Sequence, residues 1–450
     1  MSKRPYPGRI PRLTRRSLLQ GTAGFGLAMM LDPSGFPFSS GLAGPVSLDL
    51  GGDMWTVREE GRSNSIRAVI PGSNYSSLLA AGEIPDPFLG ENNDKVQWVA
   101  EKSSFFERTF QVSDNLYDKR YVELVCHGLD TLATIWLNGD RIGTSNNMFR
   151  TWTFNIKPHL RRGTNHLRIG FDPLTPYVQN QRASYNQKYG VDLANERSWV
   201  RKAPYMWGWD WCRPLLTQGI WRKIEVLGYD VRIADVSVVQ NRQADGTVQL
   251  ETHVKTAGEA KALSLEVQIA LAGEAAATAQ GAATNGETTL RLTIPNPQLW
   301  WPNGMGDQPL YLVTVGLKDA EGTSLDTTTC RVGLRTIDVV PPSGETAMHV
   351  RVNGMPVFAI GADWIPAVNM PDRVTPEILR WYVYKAAECN FNFIRLWGGG
   401  YYEEDELFDL CDELGLMLQF EFKFANASYP IHDEVWMDNL REEIEQQTRR

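Results

Sequence analysis

Between about Val46 and Leu227, apolar and polar residues alternate in short runs broken by Gly, Asn and Asp. Phe105–Phe110, Thr134–Leu137 and His166–Phe171 follow the two-residue period that turns one face of a strand to a core. Asn138-Gly139, directly after the second run, is the dipeptide of a tight hairpin, because both residues accept positive φ. Many short strands separated by turn residues predict a β-sandwich over residues 45–228. From Tyr229 to about Val340 the aromatics thin out, while alternation persists in Leu263–Ile269, Thr289–Ile294 and Tyr311–Val315. At about 110 residues, the segment 229–340 fits a small immunoglobulin-like sandwich.

After Pro341-Pro342-Ser343-Gly344, which reads as a linker, the period changes. In residues 341–450, Val357–Gly361, Phe391–Trp397 and Leu416–Phe422 read as buried strands. Between them, Thr375-Pro376-Glu377 caps a helix running to about Cys389. Glu403-Glu404-Asp405 opens another, ended by Gly415, and a polar helix covers Glu434 to Arg450. Strand–helix alternation predicts a parallel sheet with helices outside it.

The first 44 residues differ in composition. Lys3, Arg4, Arg9, Arg12, Arg15 and Arg16 precede a moderately apolar, glycine-rich run, Gly21–Leu31. Basic and apolar regions of this kind form an export signal, and the run is too short for a membrane anchor. Thr14–Gln20 resembles the twin-arginine signal of bacteria. A periplasmic or secreted protein is expected, with a weak cleavage signal at Gly41-Leu42-Ala43 and no membrane anchor after its removal.

The net charge of −8 argues against nucleic acid as a partner. Five scattered cysteines and six histidines show no metal spacing, so neither metal nor cofactor is expected. Cys126, Cys389 and Cys411 sit in apolar periodic segments and read as buried small hydrophobes. Fifteen tryptophans supply either core filler or the flat surfaces on which sugar rings stack.

In a βα barrel, functional residues stand at the C-terminal strand ends. Here those ends carry Asp363-Trp364, Arg395-Leu396-Trp397 followed by Gly398-Gly399-Gly400, and Glu421-Phe422-Lys423. Carboxylates and indoles converging on one mouth favour a sugar site, with rim packing as the plain alternative for Trp364 and Trp397. The glycine triplet lacks the context of a phosphate cradle and reads as a turn admitting close approach of a ligand. Asp405, Glu406, Asp409, Asp412 and Glu413 lie at helical spacing and read mostly as a solvated face, as do Glu442, Glu443 and Glu445. One further motif, Ala203–Pro214, carries Trp207, Trp209 and Trp211 with Asp210 between two of them. As a strand it would place the three indoles on one face and the carboxylate on the other.

These motifs together resemble the β-mannosidase branch of glycoside hydrolase family 2. Pro71-Gly72, Ile84–Phe88 and Trp98 match the start of its sugar-binding-type jelly roll, continued by Gly128–Thr131, Asn138-Gly139, Asn147–Arg150, Arg201–Tyr205, Gly208–Trp211 and Gly219–Arg222. Trp300–Gly304 and Gln308–Tyr311 match the second domain. Gly361–Pro366, Arg395–Tyr401 and Leu410–Gly415 match the barrel. The resemblance implies a jelly-roll β-sandwich, an immunoglobulin-like β-sandwich and then the first three βα units of a (β/α)8 TIM barrel. It implies an exo-acting, retaining β-mannosidase whose partner is a β-mannoside oligosaccharide or glycoside. Asp210, Trp211, Asp363, Trp364, Arg395, Trp397 and Glu421 would then bind substrate, with Asp210 reaching the barrel mouth from the first domain.

The chain departs from the family where Asp363 replaces an Asn and Phe420–Ala427 replaces Gln-Asp-Phe-Met-Phe-Ala-Cys-Ala, bringing Glu421 and Lys423. Cys212-Arg213 also interrupts a usual Gly-Pro. By resemblance the acid/base and nucleophile are glutamates on barrel strands 4 and 7, expected beyond Arg450. A 450-residue chain without turnover is therefore expected. The alternatives are a non-catalytic carbohydrate-binding remnant, or another family 2 exo-β-glycosidase such as a glucosaminidase.

Overall fold

The computed structural model describes residues 44–449 apart from 261, 285, 345 and 346. The expected export signal lies outside the described residues except for Gly44.

The first alternating segment forms two facing antiparallel sheets. One has six strands in the order Ile66–Ile70, Gly52–Glu59, Ser104–Val112, Gly163–Phe171, Leu132–Leu137 and Asp140–Asn146. The other has four: Val46–Asp49, Ile224–Tyr229, Tyr121–Cys126 and Trp152–Asn155. The inward members of each run, including Phe106, Phe110, Ile135, Leu137, Leu167 and Ile169, fill one continuous core. At the hairpin, Asn138 and Gly139 take φ of 54° and 96°, the left-handed pair a two-residue turn demands. The Asn138 amide also donates to the His159 carbonyl and the Asn165 side chain, tying the turn to the neighbouring loop.

A second pair of sheets follows. Val231–Arg242, Val248–Gly258 and Glu287–Ile294 face Glu274–Ala282, Ser264–Leu271, Tyr311–Lys318 and Ser324–Val332. Leu250, Val267, Ile269, Leu292, Val313 and Val315 form their shared core, as the alternation requires.

The apolar run at 357–361 departs from expectation. Val357 ends a small antiparallel sheet, Ile337–Val340, His349–Val352 and Met355–Val357, and Pro341–Gly344 falls in its hairpin loop instead of a linker. The parallel strand begins only at Gly361, and Phe358 is 84% exposed. The Asn392 side chain explains the break, because its amide accepts from the Ile360 N–H and donates to the Phe358 carbonyl. Those backbone groups are thereby taken before a ladder can form.

From there Gly361–Trp364, Phe393–Leu396 and Met417–Phe420 pair in parallel, in that order. The helices Pro376–Glu388 and Asp405–Leu414 connect them. Thr375 caps the first through its hydroxyl, and Gly415 ends the second at φ 76°. Leu379, Val383, Ile394, Leu396, Leu407 and Leu410 make the helix–sheet core. Among the described residues this sheet is open, not closed into a barrel. The last helix, Glu434–Thr448, lies against the first sandwich: Gln447 donates to the Phe149 carbonyl, and Asn439 bonds Asn146 and Arg150.

Candidate functional site

The tryptophan motif is not a strand. Pro204–Trp207 makes a short 3-10 turn, and Gly208 and Asp210 follow at φ 75° and 62°. The loop folds so tightly that a Cβ on Gly208 would lie 3.0 Å from Pro214. Two-residue alternation therefore does not govern the indoles. Trp207 packs with Leu132, Val178 and Trp199 of the first sandwich region. Trp209 and Trp211 instead each lie nearly parallel to Trp397, with centroids 5.2 Å apart and planes 18° apart. A backbone bond from Tyr205 N–H to the Gly399 carbonyl (3.0 Å) fixes the loop over the strand end. Asp210 is left exposed at the loop tip, and Trp211 is 61% exposed beside it.

The three strand ends bring the ionisable residues together. Register pairs Asp363 with Arg395 on adjacent strands. The Arg395 guanidinium donates to Glu421 (2.5 Å) and to Asp363 (3.1 Å), and these bonds raise its already high pKa. Trp364 donates its indole N–H to Glu403 (2.8 Å). So Asp363, Arg395 and Glu421 form one network, Trp211 and Trp397 a second with Trp209, and Trp364 belongs to Glu403.

Glu403 and Lys423 matter more here than the sequence suggested. Glu403 reads as a helix-opening acid, but the helix starts at Asp405 and Glu403 turns inward, 2% exposed. Burial, against the Trp364 bond and the nearby Lys423 charge, pushes its carboxyl up to about 7. Its only sequence signal is a place in the loop between a strand end and a helix, two residues before the helix. Lys423 stands at φ 55°, 1% exposed, with its ammonium on the Trp397 carbonyl (3.2 Å). Burial lowers it to about 8, opposed by Glu403, Glu421 and Glu443. It thus lies under the mouth and not on its rim.

Four other expectations change. Glu443 is not a helix-surface acid but fully buried, held by Arg201 (2.6 and 2.8 Å), Tyr402 (2.8 Å) and Asn147 (2.9 Å). Burial works against the Arg201 charge, yet Glu443 outweighs it and the net shift is upward. The acidic face of Asp405–Leu414 is partly used, since Asp409 and Glu413 pair with Arg331, and Asp412 with Arg335. Cys126 and Cys411 are buried, but Cys389 is exposed because it caps the helix C-terminus. The glycine triplet admits side chains: a Cβ on Gly398 would meet Glu421 at 2.3 Å, and one on Gly399 would meet Trp209 at 2.6 Å. Among the described residues no group of three or more His, Cys, Asp or Glu is placed to hold a metal ion.

The arrangement has parallels in known proteins. Residues 55–222 match the family model for the glycosyl hydrolase 2 galactose-binding domain-like domain, and residues 231–335 match that for glycosyl hydrolases family 2. The beta-mannosidase of Capra hircus is 31% identical over 447 residues, covering 94% of this chain and 50% of that protein. Beta-mannosidase B of Thermothelomyces thermophilus is 35% identical over 393 residues, covering 84% and 45%. The crystal structure of beta-D-mannosidase from Dictyoglomus thermophilum superposes with a TM-score of 0.83 at 32% identity, covering 88% of this chain and 50% of that one. The chain spans about half the length of the curated relatives it matches.

Proposed function

The chain belongs to glycoside hydrolase family 2, and we propose that it forms the substrate-holding part of an exo-acting β-mannosidase-type hydrolase. In this reading it is exported, and its parallel strands are the first three of an eight-stranded barrel. The observation carrying it is the meeting of Trp211 from the first sandwich with Trp397 beside the Asp363–Arg395–Glu421 network. An exposed indole offers a ring-stacking wall, and the fixed charges offer donors and acceptors for a terminal sugar's hydroxyls. Asp210, at the loop tip, would bond those hydroxyls directly.

Within the mouth, Asp363 and Glu421 are tied to one guanidinium, which suits holding a sugar better than moving a proton. A retaining mechanism uses two carboxyls about 5 Å apart across the scissile bond. The family resemblance assigns that pair to barrel strands 4 and 7, so the three strand ends of this chain would hold the sugar and leave the bond-breaking to those strands.

Calorimetric titration with methyl β-D-mannoside is the test. Asp210→Ala should weaken binding about tenfold, as loss of a charge-assisted bond does, with the melting temperature almost unchanged. Unaltered binding in that variant, or tighter binding of the glucosaminide, would overturn the assignment. Release of nitrophenol from an aryl β-mannoside by this chain would overturn the division of labour.

A further inference from the structure

Two loops that bound the mouth are joined by one side chain of the first sandwich region. Arg197 lies in the short 3-10 turn Glu196–Ser198, beyond the helix Leu174–Tyr189. One of its terminal nitrogens donates to the carbonyls of Ala425 (3.0 Å) and Asn426 (3.1 Å), in the loop that follows Glu421. Its guanidinium carbon also lies over the Trp209 ring, 5.3 Å from the centroid, where the indole face attracts a cation. A single planar group thus touches both the tryptophan loop and the loop after the third parallel strand.

The second of these loops has no strand pairing to hold it. Residues 421–432 form no ladder, and the backbone is left-handed at Lys423 and Asn426, with φ 55° and 27°. Such non-glycine positions persist only where their surroundings fix them. Arg201 takes the Phe422 and Lys423 carbonyls (2.9 and 3.3 Å), so two arginines hold four carbonyls of the loop between them.

Their circumstances differ. Arg201 is neutralised by Glu443, whereas half-buried Arg197 pairs with no carboxylate among the described residues. Its Nε is buried without an acceptor, and its remaining side-chain partner is Asn195 in its own turn (3.3 Å). A cation that exchanges hydration for carbonyl bonds alone adds little net stability. Both loops already touch the glycine triplet beneath them. A Cβ on Gly398 would lie 2.9 Å from the Phe424 carbonyl oxygen, and one on Gly399 2.6 Å from Trp209. With the floor fixed, the variable left to Arg197 is the separation of the loops across it.

We propose that Arg197 is a positioning residue that sets the spacing between the stacked indoles and the Glu421 loop, and thereby which terminal sugar fits, a role that rests on the mouth being the sugar site.

The experiment uses the full chain and its Arg197→Ala and Arg197→Lys variants. Circular dichroism follows the exciton couplet of the stacked indoles, identified as the part lost in Trp209→Phe. Calorimetry follows methyl β-D-mannoside and methyl β-D-glucoside. In Arg197→Ala the couplet should shrink and mannoside affinity should fall about tenfold, the scale of one lost charge-assisted bond. The preference over the glucoside should narrow, with the melting temperature almost unchanged. Arg197→Lys should behave as the alanine variant does, because a point charge cannot lie flat on the ring while reaching two carbonyls. Guanidinium chloride, added well below denaturing concentration, should restore couplet and affinity in Arg197→Ala. An unchanged couplet, affinity or sugar preference in Arg197→Ala overturns the role, as does full function in Arg197→Lys. A loss that follows a fallen melting temperature and that guanidinium does not restore overturns it too, leaving Arg197 a structural residue. Failure of the mouth reading looks different: the wild type would bind no mannoside, while the couplet would still shrink in Arg197→Ala and return with guanidinium.

Discussion

In the first sandwich, Phe106, Ile135, Leu167 and Ile169 of one sheet share a core with Val122, Leu124, Ile224 and Val226 of the other, and all are buried. In the parallel-sheet region, Phe358 is 84% exposed, Trp381 58% and Tyr382 44%, and the outer strands each have one unpaired edge among the described residues. The sandwich satisfies its apolar faces internally, each buried aliphatic or aromatic side chain contributing about 1.5–3 kcal/mol. The parallel region meets its neighbours through buried rings, Trp397, Tyr401 and Tyr402 against Phe149, Tyr205 and Trp221, and is also fastened to them by charge. Arg201 grips Glu443, Arg222 reaches Glu404 and the Tyr402 carbonyl, and Arg331 and Arg335 hold the acids of a connecting helix. Ionic fastening fixes geometry more than it adds stability, because desolvation offsets most of the attraction. The sandwich therefore rests on apolar burial, while the parallel region adds ion pairs that specify its position.

Glu443→Ala breaks this contrast most severely. It leaves the Arg201 guanidinium buried and unpaired, at a cost of about 3–5 kcal/mol. Denaturant unfolding followed by tryptophan fluorescence should show an early transition from the parallel region and an unchanged later one from the sandwiches. A single transition with a loss under about 1 kcal/mol would mean that apolar contacts, not this pair, hold the last helix.

A pH effect of intermediate size sharpens it. Glu403 is raised from its ordinary 4.5 to about 7, so the folded state holds this proton more tightly than the unfolded chain. Its contribution to stability is complete below about 4.5 and is lost as pH rises through about 7, on the order of 2–3 kcal/mol. Lys423, at about 8, stays protonated throughout that window in both states and adds no slope. Melting temperatures between pH 4.5 and 7 should therefore fall for the wild type relative to Glu403→Gln. Parallel curves for the two proteins would show the carboxyl to be ionised throughout.

The smallest effect comes from the exposed aromatics. Trp381→Lys should change unfolding free energy by less than about 0.5 kcal/mol, as surface substitutions do, while lowering dye binding and self-association in light scattering. A large destabilisation would mean that this indole is packed after all.

Legibility in the sequence follows the same division. The sandwich strands could be read because one buried and one wet face impose a two-residue period, and Asn138-Gly139 marked its turn without ambiguity. The helix limits at Thr375 and Gly415 were equally plain, since caps are local chemistry. At Val357–Gly361 local pattern failed, because a side chain distant in sequence, Asn392, claimed the backbone. Glu443 and Glu403 were misread for a related reason: an acid among helix-surface acids gives no sign that an arginine or an indole will meet it from another region. That Asp363, Arg395 and Glu421 share one mouth is legible because parallel register brings strand ends together, but their ion network is not. The stacking of Trp209 and Trp211 on Trp397 depended on a loop whose path no period encodes.

That loop carries one more consequence. Asp210, Trp211, Arg213 and Pro214 are exposed, and the sheets on either side are held by contacts that do not pass through them. A protease cutting between Trp211 and Arg213 would leave every strand ladder standing. The molecule would keep its hydrodynamic size and its melting curve, yet on the proposed reading it would no longer recognise its sugar. On that reading, recognition at the mouth can be switched off without a trace in the measurements that usually certify a protein as intact.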